Sequence, residues 1–175
     1  MNWFLIALIA PALWSVTNYI DKYLISKYFS SAGPGALLIF SSLIGFLVFP
    51  IIFMIHPDVF SIQKSHALLI ALNGVLFLAY LFPYLYALQK DDASNVVPLF
   101  QTAPIFSYIL GYVFLGESLS QKEILAAAIL LAGAVILSLD FSSEKIRFKT
   151  TVLGLMLLSS FLFSLNSLIF KFVAV

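Results

Sequence analysis

The feature that most restricts this chain is a pair of uncharged stretches on either side of one short polar turn. No charged residue lies between Asp92 and Glu117, and none between Glu123 and Asp140; Glu117, Lys122 and Glu123 cluster between the two. A helix needs roughly 20 mostly apolar residues to cross the hydrocarbon core. Residues 95–139 therefore predict two membrane-spanning helices folded back on each other. Lipid offers no partner to a free amide or carbonyl, so each span must satisfy its backbone internally, as a helix does. Further spans are expected at 3–23, 36–55 and 66–88, with a sixth starting near Val152. The predicted fold is an all-α polytopic membrane helix bundle.

Composition agrees. Hydrophobic residues make up 62% of the chain and charged residues 10%, against about a quarter charged in a soluble domain. The net charge of +1 comes with no basic stripe, so no nucleic acid partner is expected. With no cysteine there are no disulfides or thiolate metal sites. The two histidines, His56 and His66, flank one loop and make poor metal ligands alone, so neither metal nor cofactor is expected. HExxH and GxSxG patterns are missing, which argues against an intramembrane enzyme. Met1-Asn2 supplies no positively charged leader region, so the first span reads as retained rather than as a signal peptide.

Polar residues fall in stripes on these helices. Trp14, Ser15, Asn18, Asp21 and Lys22 recur at helical spacing on the first span. On the third, Asn73, Phe77, Tyr80 and Tyr84 do the same, and on the fourth Gln101, Tyr108 and Tyr112 share a face. A polar face in lipid must meet protein or water. The candidate substrate path comprises Trp14, Asn18, Lys22, Tyr80, Tyr84, Gln101, Pro104 and Tyr108. Each has a plainer reading: lysines snorkel from helix ends, a buried asparagine can join two helices, and aromatic stripes commonly pack. Pro11, Pro83, Pro98 and Pro104 each remove a helical hydrogen bond and are expected to bend or weaken their spans. Ser120 and Glu123 form a capping box that starts the fifth span. All eight acids are expected at or beyond helix ends, which favours facilitated over proton-coupled transport. Loops after the odd-numbered spans hold six Lys or Arg against two in the loops after the second and fourth, which places the N-terminus outside.

The sixth span repeats the first. Residues 14–23 align with residues 163–172, matching Ser15 with Ser164, Ile20 with Ile169 and Lys22 with Lys171. Five spans per unit would invert a second copy in the membrane, the plan of many transporters. A complete protein on this plan has about 300 residues. The expected organisation is a first repeat at 3–140, a linker at 141–150, and at 151–175 the opening helix of a second, truncated repeat. The other half would come from further chain or from a homodimer.

Val97-Pro98, Thr102-Ala103-Pro104, Leu115-Gly116-Glu117 followed by Ser120, and Gly133, in that order and spacing, resemble the EamA domain of the drug/metabolite transporter superfamily. Trp14 and Lys22 fit that family's first helix. The second span lacks an arginine often seen near its start, and Leu125-Ala126-Ala127 stands where a glycine is common. The resemblance implies ten spans in two inverted halves that carry small metabolites across a cytoplasmic membrane. Amino-acid-like, nucleotide-sugar-like and drug-like solutes are the expected cargo, with the lipid bilayer as surroundings. Family relatives have the N-terminus inside, against the charge count. A flippase for a lipid-linked substrate is the closest alternative, and an intramembrane enzyme a more distant one.

Overall fold

The computed structural model describes residues Trp3–Leu137 and Thr150–Ala174, and the described residues are almost wholly helical. Helix α1 runs Trp3–Lys27, one turn beyond its expected end. A turn leads to Gly33, whose φ of +77° suits a residue without a Cβ. Pro34 then occupies the first turn of α2, Gly33–Ile55, where its missing N–H leaves no helical bond unmade. A short 3-10 turn, Pro57–Phe60, precedes α3, Lys64–Lys90.

The fourth span departs from a continuous helix. It consists of α4, Ala93–Val96, a 3-10 segment, Val97–Thr102, and α5, Ala103–Leu115. Pro98 and Pro104 explain the break, since neither can donate to the carbonyl four residues earlier. The backbone tightens instead: the Ala103 N–H bonds to the carbonyl of Phe100. That leaves the Leu99 carbonyl to accept from Thr102 Oγ1 at 2.8 Å. Helix α6, Gln121–Leu137, begins at the expected capping box, with Ser120 N–H donating to Glu123 Oε2 at 2.7 Å. Helix α7 runs Thr150–Ala174. Of the expected linker, residues 141–149 lie outside the described residues, and Thr150 already belongs to α7.

Four described stretches are long and apolar enough to cross a membrane: Gly33–Ile55, Lys64–Lys90, Ala93–Leu115 and Thr150–Phe172. Phe46, Leu47 and Met54 on α2 project their side chains outward, as lipid-facing residues do. The chain is a multi-pass membrane helix bundle.

Helix α7 packs chiefly against α3 and then against α5. Its buried face carries hydroxyls: Ser159, Ser160 and Ser164 are almost fully enclosed. Small residues allow close approach, and their hydroxyls find partners across the interface. Ser159 Oγ donates to the Tyr80 carbonyl at 2.8 Å, and Ser164 Oγ to the Ala103 carbonyl at 2.9 Å. Asn73 and Asn166 clamp α3 to α7 reciprocally, each amide donating to the other's backbone carbonyl, at 2.7 and 2.6 Å. Below this polar seam an apolar cluster containing Ile25, Leu88, Val96 and Met156 joins α1, α3, α4 and α7.

Candidate solute cavity

The polar stripes of α1 and α3 converge on a cavity of about 760 Å³, bounded by α1, α2, α3, the 3-10 segment and α7. Its wall is mostly apolar and aromatic. Phe100, carried inward by the proline-broken segment, lies at the centre of a ring cluster. Its centroid is 5.1 Å from Phe163, 5.8 Å from Trp14, 6.2 Å from Tyr84 and 6.3 Å from Tyr80. Trp14 and Phe163, the aligned positions of the two repeated helices, stand 6.3 Å apart across this cluster. Such tilted and edge-on pairs satisfy the quadrupoles of the rings.

One polar pair on this wall is fixed across the helices. Asn18 is 6% exposed, and its Oδ1 accepts from the Tyr84 hydroxyl at 2.7 Å. That bond fixes which end of the amide faces α3. The Asn18 Nδ2 has no hydrogen-bond acceptor among the described residues. Ser15, Thr17, Asp21, Ser41 and Gln101 also line the cavity.

Of the candidate path residues, Trp14, Asn18, Tyr80, Tyr84 and Gln101 meet at this one cavity. Lys22 stands away from its lining. Its Nζ donates to the carbonyls of Leu88, at 2.8 Å, and Asp91, at 2.7 Å, closing the C-terminal end of α3 where cations are favoured. Asp92 lies 3.7 Å away, largely in solvent. Pro104 sits exposed in the first turn of α5, and half-buried Tyr108 rests against Tyr112 at 6.3 Å.

Asp21 requires a correction. The expectation that every acid lies at or beyond a helix end fails because α1 continues to Lys27, which leaves Asp21 well inside the helix. It lines the cavity, and its neighbour Lys22 is committed to α3. Phe100 and Phe163 are also missing from the sequence-derived set. The signal for Phe163 was present in its alignment with Trp14; Phe100 carried none, because only the 3-10 break turns it inward.

The turn after α5 has a defined architecture. Gly116 adopts φ +66°, and the Glu117 N–H bonds back to the Gly111 carbonyl at 3.2 Å, a left-handed helix stop. The Glu117 side chain folds over Gly111, where a Cβ would stand only 2.8 Å from its Oε2. Its Oε1 accepts from Lys171 Nζ at 2.8 Å. Leu115-Gly116-Glu117 thus ends α5 and links it to α7.

Comparison with known proteins fits this arrangement. The family model described as the EamA-like transporter family matches residues 1–139. The chain is 37% identical over 71 residues to a Sinorhizobium protein named as an uncharacterized transporter in the cobO 3' region, covering 41% of this chain and half of that one. It is 22% identical over 136 residues to an uncharacterized protein of Methanocaldococcus jannaschii, covering 78% of this chain and 96% of that one. No solved structure matches the chain. With most of its length matched by the family model, the chain belongs to the EamA-like transporter family.

Proposed function

We propose that the protein carries small organic metabolites across the cytoplasmic membrane by alternating access, through the cavity between α1, α3 and the 3-10 segment. The observation that supports this most is the convergence of Trp14, Asn18, Tyr80, Tyr84 and Gln101 on one space in a chain otherwise built to face lipid. Ligand sites are commonly concave and mostly apolar, with a few placed polar groups, and in transporters they gather at broken helices. The Val97–Thr102 segment is such a break. Its 3-10 hydrogen bonds are weaker than those of an α-helix, so α5 can tilt against α4 and open the cavity to either side in turn.

In this proposal residues 3–140 are one repeat and 151–175 open a second. Lys22 and Asn73 hold helices in register instead of touching solute. Facilitated flux is retained as the mode of transport, although Asp21 departs from the expectation that every acid lies at or beyond a helix end. The test is uptake by proteoliposomes offered an equimolar mixture of amino acids, amines and nucleotide sugars, read by mass spectrometry against protein-free vesicles. At least one solute should enter faster with protein and follow its own gradient. Equal entry of every solute contradicts transport, and accumulation driven by an imposed pH gradient contradicts the facilitated mode.

A further inference from the structure

Asp21 is the one charged residue among those that line the cavity, and it makes no hydrogen bond or ion pair among the described residues. Its neighbours on α1 are committed: Lys22 closes the α3 terminus and Lys27 bonds to the Tyr23 hydroxyl at 2.7 Å. A carboxylate in a mostly apolar space within a membrane protein is costly without a partner.

The rest of the wall suits a cation. Trp14, Tyr80, Tyr84, Phe100 and Phe163 surround the same space, and aromatic faces attract ammonium groups, more strongly where water is scarce. An anionic solute would meet the Asp21 charge with no lysine or arginine on the wall to offset it. Resting on the transport reading above, we propose that the cavity recognises organic cations: solutes with an ammonium group on an apolar or aromatic body, the charge held by Asp21 and the body by the ring cluster. Phosphate- and sugar-nucleotide-bearing solutes are thereby disfavoured.

Tetraphenylphosphonium and tetraphenylborate supply a direct probe, since they share size and shape and differ in the sign of charge. Binding of each to the purified full chain is measured by equilibrium dialysis, with empty detergent micelles subtracted. The cation should bind saturably and the borate should not. Asp21→Asn should weaken cation binding about tenfold, as expected for loss of one close charge pair in a partly desolvated site, while Asp21→Glu retains most of it. Trp14→Ala, which leaves the charge in place, should weaken it several-fold. Equal binding of the two ions, or an Asp21→Asn chain that stays folded and binds the cation unchanged, overturns the proposal. If Asp21→Asn does not fold, the comparison of the two ions on the unaltered chain decides. The outcomes separate from those of the transport reading: uptake confined to anionic solutes overturns cation recognition while transport stands, whereas saturable Asp21-dependent cation binding without any uptake leaves recognition standing and overturns transport.

Discussion

The Tyr84 hydroxyl donates to Asn18 Oδ1 at 2.7 Å, joining α1 to α3 through two side chains on the wall of the cavity. This bond does two things. It satisfies the carbonyl end of a buried amide, and it holds the two polar stripes at one depth in the membrane. Removing the hydroxyl with Tyr84→Phe should destabilise the protein by about 1 kcal/mol. In a double-mutant cycle with Asn18→Leu the two changes should couple by about 0.6 kcal/mol, the ordinary scale for hydrogen bonds between membrane helices. Unfolding titrations in mixed micelles measure both values, and strict additivity would contradict the pairing.

The Asn73 and Asn166 clamp should behave in the opposite way. Each amide bonds to the other residue's backbone, which substitution leaves in place. Asn73→Ala and Asn166→Ala should therefore each cost about 1 kcal/mol, and the double variant should cost close to the total. A double variant no less stable than either single one would show that the two side chains act as one unit.

Lys22 and Lys171 are aligned positions with different work. Lys22 is 24% exposed and satisfies two carbonyls at a helix end, whereas Lys171 is 57% exposed and meets a half-exposed carboxylate. Lys22→Met should cost about 1–3 kcal/mol, because it leaves polar groups short of partners. Lys171→Met should cost about 0–0.5 kcal/mol, as exposed ion pairs do. Thermal unfolding of the two variants side by side checks the order, and equal losses would contradict it.

At the turn after α5, Gly116→Ala should cost about 1 kcal/mol, since only the backbone conformation opposes a Cβ there. Gly111→Ala should cost less than Gly116→Ala, because the atom its Cβ would meet, Glu117 Oε2, is the free end of a half-exposed side chain that can swing aside. Adding Glu117→Ala should remove the small loss at Gly111 and leave the loss at Gly116 unchanged. A loss at Gly111 as large as that at Gly116, or rescue of Gly116→Ala by Glu117→Ala, would contradict the geometry.

Much of this arrangement was legible in the sequence because lipid makes the pattern simple. Uncharged runs of span length gave the helices, and Ser120 with Glu123 gave the start of α6. Helical spacing correctly put Phe77, Tyr80 and Tyr84 on one face, and it also put Asn73 there. It could not tell that Asn73 meets Asn166 while the other three meet a cavity, because that division depends on how α7 packs. Asp21 departs from the sequence expectation for a local reason: the charges at 21 and 22 look like a helix end, yet Ile25 is fully buried and the helix continues to cover it. The sequence alone makes Lys22 a candidate ligand-binding cation, because nothing in it shows that the open end of α3 lies beside it. Pro98 and Pro104 announced a weak point, but the inward turn of Phe100 needed the 3-10 geometry itself.

Transport of the kind proposed requires solute to pass through the cavity. Ser41 on α2 lines it, whereas Phe46, about one turn further along the same helix, projects its side chain outward. The most direct measurement is the initial rate of solute uptake into proteoliposomes by Ser41→Trp and Phe46→Trp, each reconstituted at equal density. An indole at Ser41 should fill part of the space and reduce uptake about tenfold or more, a loss of roughly 1.4 kcal/mol in the rate-determining step, while Phe46→Trp should transport as the unaltered chain does. Unimpaired uptake by a folded Ser41→Trp chain would contradict the account, and so would an equal loss in both variants.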